Sequence, residues 1–201
     1  MTTASVLHPR SVLTVAAACF VALTAAVIAL GAFPADAAVR DSLLALATPG
    51  VVAVMRILNR AGDWRVLVPG MLLLFVVFRR ARARWWLWLT VMAIAPVIEG
   101  ILKYLVGRSR PEDASLGYPS GHSTAAATFF GVVMFLADEL PPAACAVVRA
   151  LAVAMILLVG MARVILRAHW PSDVLAGIAL GLALAAAAGW LASAHRSRET
   201  P

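Results

Sequence analysis

The feature that most constrains this chain is the recurrence of uncharged apolar runs. They come close to the ~20 residues that an α-helix needs to cross the hydrocarbon core of a bilayer. Between Arg10 and Asp36, for example, no charged residue occurs. Of the 201 residues, 63% are hydrophobic and only 13% charged, and the mean hydropathy is +0.92. About a quarter of residues is charged in a typical soluble domain, so that class is excluded. No polar stretch is long enough to link two domains. The expected fold class is all-α: a single polytopic membrane domain over residues 1–201, with six transmembrane helices in a compact bundle.

A net charge of +7 suggests nucleic acid until the basic residues are located. Arg79, Arg80, Arg82 and Arg84 cluster between two apolar spans, and Arg196 and Arg198 follow the last span. The positive-inside bias of cytoplasmic loops produces this distribution. A nucleic-acid reader carries its basic residues on an aqueous face, which this chain lacks. Cys19 and Cys145 lie in apolar stretches and read as packing residues.

The spans are expected at about 12–32, 64–78, 85–106, 121–137, 143–166 and 171–193. The first is longer than the roughly 7–15-residue apolar core of a cleaved signal, so it is expected to remain, despite a cleavage-like Ala35-Asp36-Ala37. Residues 34–63 mix charges with Leu and Val and are broken by Pro49-Gly50. Two short interfacial amphipathic helices are expected there. Trp85-Trp86 suits the interface belt, and Asp138 to Pro142 forms a tight turn because Pro-Pro cannot continue a helix. Six spans place the arginine cluster, both termini and the 138–142 turn on the cytoplasmic side. The cell (inner or cytoplasmic) membrane is the expected location.

The polar residues then converge on the opposite, extracytoplasmic interface. Lys103 lies near the end of the third span, with Arg108 and Arg110-Pro111 in the loop beyond it. Pro119-Ser120-Gly121-His122 opens the fourth span. Arg163 closes the fifth, and His169 and Asp173 open the sixth. Chain reversal across two spans returns His122 and Arg163 to one face, whatever their chemistry. If a phosphate sits there, Lys103, Arg110 and Arg163 neutralise its oxygens. Ser120, Gly121 and His122 offer a helix N-terminus with unpaired N–H groups, and Gly121 permits close backbone approach. Of the two imidazoles, one can attack phosphorus and the other can protonate the leaving oxygen. Asp173, one turn after His169, is placed to orient it. Singly, each residue has a bland reading as a snorkelling arginine, a cap or a turn. Together, in this order and on one face, they describe a site. Lys103 is the only lysine in the chain. Glu99, one turn before it, is an acid inside a membrane helix, read as a partner holding Lys103 or as simple helix pairing.

At these residues the chain resembles the type 2 phosphatidic acid phosphatase family, which also takes in glucose-6-phosphatase and the vanadium haloperoxidases. The three-part signature is matched by Lys103 to Arg110-Pro111, by Pro119-Ser120-Gly121-His122, and by Arg163, His169 and Asp173, over residues 103–173. One departure is Ala162, where the family often has serine. The resemblance implies that His169 is the nucleophile and forms a phosphohistidine, that Asp173 orients it, and that His122 is the general acid. It also implies that Lys103, Arg110, Ser120, Gly121 and Arg163 bind the phosphoryl group, with no metal or other cofactor.

A site at the bilayer interface suits a substrate whose tail stays in the membrane. The expected partners are thus a lipid phosphate and the surrounding membrane lipids, without nucleic acid. A polyprenyl (undecaprenyl-type) diphosphate comes first, then phosphatidate and phosphatidylglycerol phosphate. A lipid-linked phosphotransferase using the same histidine is an alternative. A non-catalytic transporter or scaffold is another, although the repeats and broken midplane helices common in transporters are not visible. A haloperoxidase is disfavoured because the known ones are soluble.

Overall fold

A computed structural model of the chain describes residues 8–31 and 33–199, without the side chains of residues 34 and 194–199. Ala32, the expected end of the first span, lies outside the described residues, as do the side chains of His195, Arg196 and Arg198. Nine α-helices are described: α1 (Pro9–Leu30), α2 (Pro34–Leu44), α3 (Pro49–Asn59), α4 (Trp64–Val77), α5 (Arg79–Ala83), α6 (Trp85–Val106), α7 (Gly121–Leu136), α8 (Pro142–Ile165) and α9 (Pro171–Glu199). Short 3-10 turns at Arg60–Gly62 and Ala137–Glu139 complete the list.

Local chemistry sets the helix starts. Proline opens α1, α2, α3, α8 and α9, where its missing N–H costs nothing and its fixed φ suits the helix. The Thr48 side chain accepts from the Val51 amide at the start of α3. Asp63 does the same for Arg65 at the start of α4. Gly107 ends α6 in the left-handed region, at φ 66°, with its N–H on the Lys103 carbonyl. The loop beyond is more ordered than its polar sequence suggests. Arg110 N donates to Ser115 O at 3.0 Å and Gly117 N to Arg108 O at 2.7 Å, folding residues 108–117 into a small hairpin.

Among the described residues, four helices are long and apolar enough to cross a membrane: α1, α6, α8 and α9 up to Ser193. The pair α2–α3 is bent by 114°, and α4 is a shorter apolar helix. Valines and leucines such as Val15, Leu72, Val97, Leu151 and Leu175 lie exposed on the outside. That is costly in water and natural against lipid. The protein is an all-helical, multi-pass membrane protein.

Helix α7 sits at the centre and packs against α4, α6, α8 and α9. Its contact with α9 is close enough that backbones touch. A Cβ on Gly181 would lie 2.4 Å from the Thr124 carbonyl oxygen, and one on Gly177 2.6 Å from that of Ser120. Small residues allow such approach between membrane helices, where lipid is as apolar as leucine. The main apolar core lies toward the other end of α7, where Leu67, Met71 and Phe78 meet Trp88, Phe129 and Leu136.

The bundle has two chemically different ends. At one, Glu139 accepts from the amides of Arg79 and Arg80 at 3.0 and 2.8 Å, and Arg10 lies over the ring of Trp190. At the other, the C-terminal turns of α6 and α8 meet the N-terminal turns of α7 and α9, joined by α2, α3 and the hairpin.

Candidate active site

A cavity of about 760 Å³ opens at that second end. Glu99 and Lys103 reach it from α6, Arg110 from the hairpin, Gly121 and His122 from the first turn of α7, Arg163 from the last turn of α8, and His169 from the turn between α8 and α9. Seven of the nine residues expected at the site thus line one cavity. Its remaining walls are largely apolar, from Trp64, Leu67 and Val68 of α4 and Leu89, Met92 and Pro96 of α6, with Asp63 and Thr124 as polar exceptions. Trp64, Val68 and Leu89 are exposed on the outside of the bundle.

Asp173 is fully buried behind His169, with its Oδ2 3.5 Å from His169 Nδ1. The i, i+4 spacing puts both on one side of the α9 start. The Trp170 amide donates to the same Oδ2 at 3.1 Å. Ser120, expected among the phosphate contacts, is placed elsewhere. It is fully buried and is not among the residues lining the cavity. Its amide donates to the Asp173 carbonyl at 3.0 Å and its Oγ accepts from Ser123 at 2.9 Å. Ser120 occupies the N-cap position of α7, but its side chain makes no capping bond. It ties α7 to α9 instead.

The cationic side of the cavity holds donors without acceptors. The Nε atoms of Arg110 and Arg163 are buried and have no hydrogen-bond partner among the described residues. Buried guanidinium donors are costly when unpaired, and an anion in the cavity would satisfy them. Arg163 is steadied by donating from Nη1 to Asn59 Oδ1 at 2.9 Å. Lys103 forms an ion pair with Glu99. The Glu99 carboxylate also lies against Gly121, where an added Cβ would come within 2.8 Å of Oε1. Glycine is required there for that contact.

His169 is 1% exposed, and burial holds its basicity below the ordinary imidazole range, with Asp173 opposing and the Arg163 and Arg110 charges adding to the depression. Its imidazole therefore keeps a free lone pair at neutral pH.

Three contributors were not expected from the sequence as part of the site: Asn59 behind Arg163, Asp36 of α2, and Arg108 as a partner of Asp173. Arg108 Nη1 donates to Asp173 Oδ1 at 2.7 Å, and Nη2 to Asp36 Oδ2 at 2.7 Å. The only sequence signal for Asp36 was a charge directly after a long apolar span. For Asn59 there was none.

Fold and cavity together define a membrane-embedded helical bundle with a cationic, two-histidine cavity at one end and lipid-side walls. The PAP2 superfamily matches residues 84–197. Phosphatidylglycerophosphatase B of Bacillus subtilis is 30% identical over 82% of this chain and 87% of its own length. The decaprenylphosphoryl-5-phosphoribose phosphatase of Mycobacterium tuberculosis is 30% identical over 69% of this chain and 78% of its own. A crystal structure of a transmembrane PAP2-type phosphatidylglycerolphosphate phosphatase from Bacillus subtilis superposes with a TM-score of 0.72 at 27% identity, covering 95% of this chain and 96% of that one. The chain belongs to the PAP2 superfamily and is a membrane lipid phosphatase of that type.

Proposed function

We propose that this chain hydrolyses a phosphomonoester or diphosphate headgroup of a membrane lipid through a phosphohistidine on His169. The observation that carries the reading is the two-sided cavity, with cations and imidazoles at its end and apolar walls from α4 and α6 alongside. A free phosphate needs no such walls, whereas a lipid phosphate brings a tail that fits them.

In the first step His169 Nε2 attacks phosphorus and the P–O bond to the lipid breaks. His122 gives its proton to the leaving oxygen. Asp173, with Oδ2 3.5 Å from Nδ1, stabilises the positive charge that develops on the ring. Lys103, Arg110, Arg163 and the first-turn amides of α7 surround the phosphoryl oxygens, where charge grows in the transition state. Ser120 acts from behind, holding α7 against Asp173. Glu99 keeps Lys103 extended into the cavity. In the second step His122 takes a proton from water, which attacks phosphorus. The P–N bond breaks, releasing phosphate and restoring both histidines.

Six crossings with both termini in the cytoplasm complete the proposal, α4 and α7 supplying the two short spans. It is supported by the positions of Arg10 and the α5 arginines, at the end of the bundle away from the cavity. The positive-inside bias then puts the cavity on the extracytoplasmic face of the cell membrane. For the substrate, similarity to phosphatidylglycerophosphatase B over most of both chains moves phosphatidylglycerol phosphate ahead of the polyprenyl diphosphate favoured by topology.

The test is phosphate release by purified protein in detergent, with chelator present. Phosphatidylglycerol phosphate, undecaprenyl diphosphate and phosphatidate are offered in parallel, with His169→Ala as control. Release from one lipid that vanishes in the variant supports the reading. Folded protein that releases phosphate from none of them contradicts it.

A further inference from the structure

We propose that Arg108 and Asp36 are positioning residues for this reaction, forming a buried Asp36–Arg108–Asp173 chain that fixes the carboxylate facing His169. The inference rests on the reading of His169 as nucleophile and extends the apparatus to α2, an element outside the signature region.

The chain of contacts is continuous and closed. Arg108 spans the two carboxylates at 2.7 Å each and also donates from Nη1 to Ser172 Oγ at 2.6 Å. Ser172 in turn donates from its amide to Asp36 Oδ1 at 2.8 Å and from its hydroxyl to Asp36 Oδ2 at 2.6 Å. The side chains of Arg108, Asp36 and Asp173 are 9%, 5% and 0% exposed. Three charges so deeply buried are tolerated only because each is paired and hydrogen-bonded. A planar guanidinium can bridge two carboxylates in fixed geometry, and a lysine ammonium cannot.

The arrangement has a consequence for chemistry. Arg108 occupies Asp173 Oδ1 and the Trp170 amide sits on Oδ2, leaving Oδ2 turned toward His169 in one orientation. Arg108 also draws negative charge away from the imidazole, and Asp36 limits that draw by sharing Arg108. The pair therefore sets both the direction of the Asp173 carboxylate and how strongly it supports a charged His169. The other charged or titratable groups around His169 are Arg163 of α8, Arg110 and Asp113 of the hairpin, His122 of α7, Lys103 and Glu99 of α6, and Asp63 at the start of α4. None of them belongs to the chain.

Opposite shifts distinguish this role from a structural one. In Arg108→Gln, Asp173 regains its full charge, His169 becomes more basic, and the acidic limb of the kcat/KM profile moves up. In Asp36→Asn, Arg108 rests on Asp173 alone, His169 becomes less basic, and the limb moves down. Each shift is expected at roughly half a pH unit. Misalignment lowers kcat by about 10- to 100-fold, while KM stays near wild type because neither residue touches phosphate. Arg108→Lys recovers only part of kcat. Ser172→Ala keeps every charge and guards against misfolding of the charge variants. It should lose roughly threefold or more in kcat with the limb unmoved.

The experiment measures full pH profiles of phosphate release from phosphatidylglycerol phosphate in these variants and in His169→Ala. Opposite limb shifts with a kcat-only loss support the proposal. With His169→Ala inactive, limbs that stay put or move together, or a Ser172→Ala kcat equal to wild type, overturn it. Activity surviving in His169→Ala would instead sink the nucleophile assignment itself.

Discussion

Gly177→Ala tests how tightly the site depends on the contact between α7 and α9. The new Cβ would lie 2.6 Å from the Ser120 carbonyl oxygen and 3.1 Å from both Ser123 Cβ and Thr124 Oγ1. The first of these is backbone of the central helix and cannot rotate away. Restoring an ordinary contact near 3.4 Å takes roughly 0.8 Å of separation between the helices. Gly177 is one turn from Asp173, whose carbonyl accepts the Ser120 amide at 3.0 Å, so the displacement falls on the element that carries the carboxylate facing His169. A misplacement of about 1 Å can cost around 10²-fold in rate, and overpacking costs about 1–3 kcal/mol in stability. The variant should lose about 30- to 100-fold in kcat and several degrees in Tm. Gly100→Ala is the control, since nothing lies within 4 Å of its Cβ position. There a helical alanine should stabilise by about 0.4–1 kcal/mol with activity unchanged. Phosphate release and thermal unfolding in the same detergent give both readouts. Wild-type activity and Tm in Gly177→Ala would refute the reasoning.

Asn59→Ala frees the Arg163 guanidinium; a hydrogen bond to a charged group is worth about 1.5–3 kcal/mol, so kcat/KM should fall at least tenfold, read by steady-state kinetics. Because burial depresses His169, the acidic limb of the wild-type kcat/KM profile should lie below the usual imidazole value near 6.5. The same depression means that the unfolded state binds the extra proton first, so Tm should rise with pH through the window just below 6.5; that component should disappear in His169→Asn. Glu112 ties Arg40 and Arg167 together at the hairpin but is 43% exposed, so Glu112→Gln should change stability by less than about 1 kcal/mol, checked by thermal unfolding.

Much of this architecture was legible because its cause is local. Span boundaries follow from apolar runs ended by Arg79, Gly107, Pro142 and Pro171, and the helices begin or end within a few residues of those signals. The convergence of Lys103, Arg110, His122, Arg163 and His169 on one cavity followed from chain reversal. The placement of Ser120 did not. An N-cap position says where the backbone turns, but the bond from its amide to Asp173 depends on how α9 packs. In the sequence Asp36 is only a charge within a cleavage-like tripeptide, since its partner Ser172 lies 136 residues away. Asn59 and Arg163 are 104 residues apart. Contacts of that range carry no periodicity or spacing that a single sequence can display.

The central claim is that phosphate passes through His169. Rapid-quench labelling with phosphatidylglycerol phosphate radiolabelled in its terminal phosphate, followed by peptide mapping, tests it most directly. The account predicts an acid-labile, base-stable phosphoenzyme on His169 that is absent from His169→Ala. Label on any other residue, or full turnover by His169→Ala, would contradict it.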